Sequence, residues 1–177
     1  MPLSDHELRA VLTTASPASF SGIVTRFTHH VYRRTLASPA GAEKRGGRYN
    51  SPGTPALYSS FRRETALREF TQYYSDADPI SLALMGSLAV SLGRVVDLTD
   101  AVLISRLGFT RKQLTAISIP GIPQPAARLG DTASSIGIDG LVVWSAVDPD
   151  QQNLVIFPQN ATGANPVLLV TEMKRRA

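Results

Sequence analysis

The chain has 177 residues, of which 43% are hydrophobic and 18% are charged, a balance that is typical of a soluble globular protein and excludes a disordered chain. The net charge of +4 favours an anionic small ligand or an acidic protein partner, and no Lys/Arg run flanked by aromatic residues indicates nucleic-acid binding. Cysteine is absent, which excludes disulfides and thiolate chemistry and fits a reducing, cytoplasmic compartment, and we expect neither a signal peptide nor a membrane span.

The N-terminal segment predicts a short helix. Ser4 and Glu7 have the spacing of a capping box, in which each side chain satisfies a backbone N–H of the first turn. We expect the helix to run to about Leu12, and Ser16 and Pro17 to begin the loop that follows.

A strand is predicted next, over residues 23–28, from a run of β-branched and aromatic residues. It carries Arg26, which is either a candidate anion ligand or an ordinary surface arginine on an edge strand. His29 and His30 follow, and because adjacent strand residues point to opposite faces, we assign them neither a shared metal nor a catalytic role. Residues 31–45 look irregular, and we expect a segment there that could line a cleft.

The stretch 46–69 reads as a loop, a short strand and a helix, and the rest of the chain is organised around it. Two glycines precede Arg48, and such a loop lets the backbone approach a ligand while the arginine grips a phosphate or carboxylate. The strand delivers Tyr58 and the helix delivers Glu69, so a cation, an aromatic ring and a carboxylate come from three consecutive elements. Taken alone, a Gly-Gly-Arg loop is more often an ordinary turn.

Helical periodicity places Glu69 at the border of an apolar face. Successive helix residues are about 100° apart around the axis, which places Glu64 and Arg68 on the side away from the apolar face. A carboxylate at that border can look into a cleft, although a solvated surface glutamate could sit there too. The apolar face consists of Ala66, Leu67, Phe70, Tyr73 and Tyr74.

The second half of the chain predicts further helices and strands. We expect a short helix that stops at Gly108, another from Thr110 through Ile117, and a longer one over residues 124–136 with Gly137 after its end. Residues 119–123 interrupt this series with two prolines and a glycine. The predicted strands are an extended segment over 81–97, a hairpin of 141–145 with 153–157, and a last strand over 167–171.

These elements predict one α+β domain, spanning residues 1–177, with a mixed or mostly antiparallel sheet. Helices do not alternate regularly with strands and no G-x-G-x-x-G follows a strand, which argues against a Rossmann fold. The tail 174–176 is basic, and we interpret it as a solvated end.

Three segments resemble the RES domain family. Residues 46–58 are similar to its signature Gly-Gly-Arg-Trp-Asn-x-Pro-Gly…Leu-Tyr, with Tyr49 in place of the commoner tryptophan. Residues 66–69 are similar to the helix that carries the family's glutamate, and residues 137–145 resemble its Gly-x-Asp-Gly strand, which ends in a serine. The resemblance covers roughly residues 23–157 and is weakest over 81–125.

The family takes its name from an arginine, a glutamate and a serine, which the resemblance identifies here as Arg48, Glu69 and Ser145, with Arg26 matching an earlier arginine. Members are bacterial toxins, mostly of RES–Xre toxin–antitoxin pairs, that degrade NAD. The resemblance implies a fold like the ADP-ribosyltransferases, in which a split sheet surrounds an NAD cleft. It also implies an Xre-type antitoxin as partner.

The implied reaction breaks the nicotinamide–ribose bond of NAD, with phosphate or water as acceptor, so the enzyme is either a phosphorylase or a glycohydrolase. No general acid is needed, because nicotinamide leaves as a neutral molecule, and the transition state should be oxocarbenium-like. We also expect no cofactor and no metal. A mono-ADP-ribosyltransferase that modifies a protein is the first alternative, since it differs only in acceptor. A catalytically inactive binding module with the same fold is the second.

Within such a site, Arg48 and Arg26 are expected to hold the phosphates. Tyr58, with help from Tyr49, would pack against the nicotinamide or the ribose, although a core tyrosine is the commoner role for such a residue.

Two further residues would serve the chemistry. Glu69 would accept a hydrogen bond from the ribose and stabilise its developing positive charge. Ser145 would bond a phosphate, a ribose hydroxyl or the amide, unless it is simply a strand-end serine that the backbone satisfies.

Overall fold

The computed structural model describes residues 3–72, 78–116, 124–162 and 166–174. A 3-10 helix over His30–Thr35 accompanies six α-helices and six strands in these ranges. The α-helices are α1 (Asp5–Thr14), α2 (Ala40–Arg45), α3 (Arg63–Thr71), α4 (Ala101–Arg106), α5 (Arg111–Leu114) and α6 (Pro125–Ser135). The strands are β1 (Ala18–His29), β2 (Leu57–Ser60), β3 (Ala83–Asp97), β4 (Gly140–Trp144), β5 (Gln152–Ile156) and β6 (Val167–Lys174).

The six strands form a sheet in two antiparallel halves. One half consists of β1, β3 and β6, and the other of β2, β5 and β4. The halves meet twice: β1 pairs with β2 at Thr25 and Ser60, and residues 95–97 of β3 run parallel to β4. The predicted α+β fold, with a split and mixed sheet between flanking helices, is confirmed.

Apolar side chains pack between the two halves of the sheet and between the sheet and the helices. This packing holds the two halves in a fixed orientation. Between the halves lie Val24, Leu57, Leu88, Leu154 and Ile156. The helices α1, α4, α5 and α6 share a core with β4 and β5 that includes Leu8, Ile104, Leu114, Leu129, Val143, Val155 and Phe157.

Helix α3 lies on β1 with the predicted face inward. Ala66 and Phe70 are buried against Phe27, while Glu64 and Arg68 are exposed. Glu69 is half-buried. The helix therefore presents a carboxylate at the edge of its packed face, as its periodicity predicts.

Several local predictions are confirmed. Ser4 and Glu7 form the capping box of α1, and Thr110 forms a second one with Gln113 at α5. Gly137, after α6, has a φ of 77°, the left-handed conformation expected of a glycine past a helix end. The β4–β5 hairpin also forms.

Two predictions around the histidines are wrong. Residues 31–45 are not irregular, because a 3-10 helix and α2 occupy most of them. His29 and His30 do not point to opposite faces: the strand ends between them, and their rings lie 4.6 Å apart. The backbone leaves the extended conformation at His30, which ends the alternation on which that prediction relied.

Some predictions lie outside the described residues, namely those for Tyr73, Tyr74, Ile117, the interruption at 119–123 and the tail 175–176. None of the helices in the described ranges is long and apolar enough to cross a bilayer. Among the same residues, no three histidine, aspartate or glutamate side chains cluster as metal ligands.

Candidate active site

The glycines before Arg48 allow a tight loop against β2. Gly46 has a φ of 75°, a conformation that strains other residues. A Cβ on Gly47 would lie 2.6 Å from the hydroxyl oxygen of Tyr58 and 2.9 Å from Oδ1 of Asn50. Only glycine at position 47 leaves room for this contact. The two glycines therefore allow the loop to pack closely against β2.

Asn50 and Tyr58 fasten the loop. The Asn50 amide donates to the carbonyls of Ala42 and Thr54 at 2.9 and 2.8 Å. Tyr58 donates its hydroxyl to Asn50 Oδ1 at 2.7 Å and accepts the Tyr49 N–H at 2.9 Å. The Tyr58 hydroxyl thus ties the loop to β2, and the half-buried residue keeps part of its surface accessible.

Arg48 is buried at 9% exposure, and its Nε donates to the carbonyl of Ala116 at 3.0 Å. Arg26, on β1, donates one terminal N–H to the carbonyl of Tyr58 at 2.9 Å. Both arginines are therefore positioned by backbone carbonyls, and Tyr58 links the strand that carries Arg26 to the loop that carries Arg48.

The guanidinium of Arg26 is incompletely satisfied. Its Nε is buried and has no hydrogen-bond partner among the residues that the structure describes. Burial lowers the pKa of Arg26 to about 10, with the nearby Tyr58 acting in the opposite direction, so the side chain stays charged at neutral pH. Within the described ranges, neither Arg26 nor Arg48 forms an ion pair with a carboxylate. Buried cations without a carboxylate partner are costly, and a bound anion would offset that cost.

Tyr49 lies in the core and not in a cleft. It is 0% exposed, and its hydroxyl donates to the carbonyl of Leu114 at 2.9 Å. Burial raises the pKa of the Tyr49 hydroxyl; the charge of Arg48 lowers it and that of Glu69 raises it, so both charges lie within electrostatic reach of this ring. The predicted contact of Tyr49 with a ligand is wrong for this structure, because α5 and the loop enclose the side chain.

Glu69 and Ser145 are in direct contact. Ser145 is 1% exposed and donates its hydroxyl to Oε1 of Glu69 at 2.6 Å. The Ser145 oxygen accepts the N–H groups of Val147 and Asp148 at 3.3 and 3.1 Å. Since a hydroxyl has one donor and two acceptor positions, Ser145 has no capacity left for a ligand in this arrangement. Its hydrogen bonds orient Glu69.

The two oxygens of Glu69 differ in their surroundings. Oε1 accepts from Ser145, from the amide of Asn153 at 2.7 Å and from the N–H of Ala146 at 3.3 Å. Oε2 accepts from the exposed side chain of Gln72 at 2.7 Å. Oε1 is thereby held by buried groups, whereas a substrate that displaced Gln72 could reach Oε2.

Asn153 was given no role by the sequence, yet it is the third side chain around Glu69. One signal could have singled it out: it is the polar residue that opens the otherwise apolar run 153–157. A buried amide in a strand needs hydrogen-bond partners, and here they are Glu69 and Ser60.

A cavity of about 350 Å³ lies elsewhere, and none of the predicted site residues lines it. Its walls include Phe61, Arg62, Gln152 and Trp144, with the Arg111 guanidinium 4.9 Å from the Trp144 ring centre. Because neighbouring strand residues alternate between faces, Trp144 and Gln152 face away from the side on which Asn153 meets Glu69. This cavity is therefore not the space beside Glu69 and Asn153.

The family model for the RES domain matches residues 23–173. The chain belongs to the RES domain family. No curated protein matches the sequence at a significant level. Among solved structures, the fold is similar to that in the crystal structure of the MbcT–MbcA toxin–antitoxin complex of M. tuberculosis, with a TM-score of 0.80, 20% identity, and coverage of 96% of this chain and 92% of that one.

In this RES domain, the three residues that the resemblance identifies as the family's arginine, glutamate and serine come from three places in the fold. Arg48 lies in the loop before β2, Glu69 on α3, and Ser145 directly after β4. A hydrogen bond joins Glu69 to Ser145, and the charges of Arg48 and Glu69 both influence the pKa of Tyr49. The described contacts thus form two groups: Arg26, Tyr58 and Arg48 around the loop before β2, and Glu69 with Ser145 and Asn153 beside α3.

Proposed function

We propose that this RES domain cleaves NAD at the bond between nicotinamide and ribose and acts as the toxin of a toxin–antitoxin pair. The observation that carries the proposal is the combination of Arg26 and Arg48, which lack carboxylate partners in the described chain, with an oriented Glu69 carboxylate. NAD presents the complementary groups, a dianionic pyrophosphate and a ribose that becomes positively charged during cleavage.

The arginines would bind the pyrophosphate. The Ala116 carbonyl holds Nε of Arg48, and within the described ranges its terminal nitrogens are left for the ligand. Arg26 has an unpaired buried Nε and is held at one terminal nitrogen by Tyr58. A planar guanidinium fixes a phosphate in orientation as well as in distance, which positions the ribose.

Glu69 would stabilise the transition state. As the bond from ribose C1″ to the nicotinamide nitrogen breaks, its electron pair leaves with nicotinamide and positive charge develops on the ribose. The carboxylate, with Oε2 toward the ribose, would accept a hydroxyl hydrogen bond and offset that charge. Ser145 would hold the carboxylate without touching the substrate, which its saturated hydroxyl supports.

An oxygen nucleophile would then bond to C1″. With inorganic phosphate the product is ADP-ribose 1″-phosphate, and with water it is ADP-ribose plus a released proton.

The direct test is NAD consumption by the purified protein with and without inorganic phosphate. We expect free nicotinamide to appear in amounts equal to the NAD lost, and expression in cells to lower NAD and stop growth. Label transferred from NAD to protein would instead support a mono-ADP-ribosyltransferase. Unchanged NAD, with normal growth at high expression, would contradict the enzyme and favour the binding module.

We further propose an Xre-type antitoxin as the partner that blocks this site. An enzyme that destroys NAD in its own cell must be restrained, and the similar fold was solved within a toxin–antitoxin complex. The net charge of +4 favours an acidic surface on the partner. Co-expression should yield a complex that leaves NAD intact; a complex with undiminished turnover would rule out occlusion.

A further inference from the structure

Asn153 is placed beside Glu69 by the register of the sheet. It lies directly opposite Ser60 in the β2–β5 pair, so their side chains lie side by side on one face. Ser60 donates its hydroxyl to Asn153 Oδ1 at 2.6 Å, and Asn153 donates its amide to Glu69 Oε1 at 2.7 Å. The two residues are buried, at 3% and 8% exposure. A chain of hydrogen bonds thus runs from β2 through β5 to α3.

These partners allow one orientation of the amide. Turning it over would place an oxygen 2.7 Å from Glu69 Oε1, where two acceptors would repel each other, and would leave the amide nitrogen facing Ser60. Ser60 therefore orients Asn153, and Asn153 presents an N–H to Glu69.

We propose that Asn153 is a positioning residue that, with Ser60 behind it, holds Oε1 of Glu69 so that Oε2 is the oxygen presented to the substrate. The inference rests on the proposed function for its catalytic meaning. Ser145 reaches the same oxygen from the β4 end. Two buried donors, one on β5 and one directly after β4, fix the carboxylate in angle as well as in distance, which one donor alone does not.

The other charges near Glu69 are accounted for. Arg48 and Tyr49 come from the loop, Arg68 from α3, and Asp148 from the β4–β5 turn. Asp148 is paired with Arg68 at 3.3 Å and accepts the Thr65 hydroxyl at 3.1 Å. A new carboxylate at position 153 would therefore meet Glu69 as its nearest unpaired charge.

Asn153→Asp turns this contact into a pH-sensitive one while keeping the shape. The introduced carboxyl retains the oxygen that accepts from Ser60, and at low pH its proton can take the place of the amide N–H. At high pH, two carboxylates face each other and disturb the position of Glu69. We expect kcat to fall about tenfold or more near pH 8, to recover toward wild type near pH 5.5, and KM to change little.

A stability cycle tests the contact without relying on catalysis. The melting temperature of Asn153→Asp should fall on the order of 5 °C further near pH 8 than near pH 5.5. Adding Glu69→Gln should abolish that pH-dependent loss, since the repelling charge is gone. Gln152→Glu is the matched control, because it adds a charge at the neighbouring exposed position on the other face of β5 and should show neither effect.

The two readouts separate failure of the inference from failure of the proposed function. If wild-type protein does not consume NAD, the function fails, and the melting cycle still decides whether Asn153 holds Glu69. A pH profile for Asn153→Asp parallel to wild type, or a melting loss that Glu69→Gln does not relieve, overturns the inference. Ser60→Ala is a milder test. It should lower kcat and leave KM unchanged, whereas a rise in KM by the same factor as the fall in kcat would contradict a positioning role.

Discussion

Replacing Glu69 by glutamine is expected to lower kcat for NAD cleavage about 10²–10³-fold, a loss of roughly 2.7–4 kcal/mol of transition-state stabilisation. The donors around Oε1 explain why the loss should be specific. Ser145, Ala146 and Asn153 all donate there, so they will select the amide rotamer with its oxygen at Oε1. The NH₂ group then takes the place of Oε2, where a negative acceptor is required. The charge and the acceptor are lost together, while the buried hydrogen bonds are kept.

Steady-state kinetics with thermal melting checks this prediction, with Glu64→Gln as the control. Glu64 lies on the same helix and is exposed, so its change removes an equal charge away from the site. Since Glu69 acts mainly as charge develops, KM should change much less than kcat. A folded Glu69→Gln variant that turns over NAD near the wild-type rate would mean that the Glu69 carboxylate has no role in catalysis.

Arg48→Lys is expected to raise KM more than it lowers kcat, the reverse of what we expect for Glu69→Gln. Lysine keeps the charge but loses both the planar fork and the bond that Nε makes to the Ala116 carbonyl. The main loss should therefore appear in KM, with a smaller effect on kcat from misplacement of the ribose. Contrasting the two variants separates substrate binding by Arg48 from transition-state stabilisation by Glu69.

The sequence predicts the parts of the site that depend on neighbours along the chain. The loop, strand and helix of 46–69, the hairpin, and the border position of Glu69 all follow from local signals, namely glycines, turn residues and helical periodicity. Even the two hydrogen bonds that the Ser145 hydroxyl oxygen accepts are local, because the N–H groups that donate them lie two and three residues further on. Together with the family motifs, these signals were enough to bring Glu69 and Ser145 to one place.

The remaining features depend on contacts between distant segments. Tyr49 follows an arginine in a glycine-rich loop and looks like a ligand-facing aromatic, but the carbonyl that binds its hydroxyl is 65 residues away at Leu114. Asn153 contacts Glu69 across 84 residues, and the register of β5 against β2 places it opposite Ser60, at the start of the segment that leads to α3. A side chain's partners across a sheet are set by pairing and packing, which one sequence does not contain in readable form.

The second large effect is expected from Gly130→Ala in α6. In a helix interior alanine is normally better than glycine by roughly 0.5–1 kcal/mol. Here an added Cβ would lie 1.9 Å from the carbonyl oxygen of Tyr49 and 2.7 Å from its carbonyl carbon. Both are backbone atoms, so no side-chain rotation relieves the contact. The steric cost therefore exceeds the gain in helix propensity.

We expect Gly130→Ala to destabilise the fold by roughly 3 kcal/mol, the upper end of the usual overpacking range, and to lower the melting temperature by roughly 6–12 °C. Gly41→Ala is the matched control: it is also helical, and its Cβ would meet only the mobile end of Arg45 at 3.5 Å, so it should be neutral or slightly stabilising. Because the displaced carbonyl belongs to the residue after Arg48, folded Gly130→Ala should also bind NAD more weakly. Wild-type stability and affinity in this variant would mean that α6 does not support the loop.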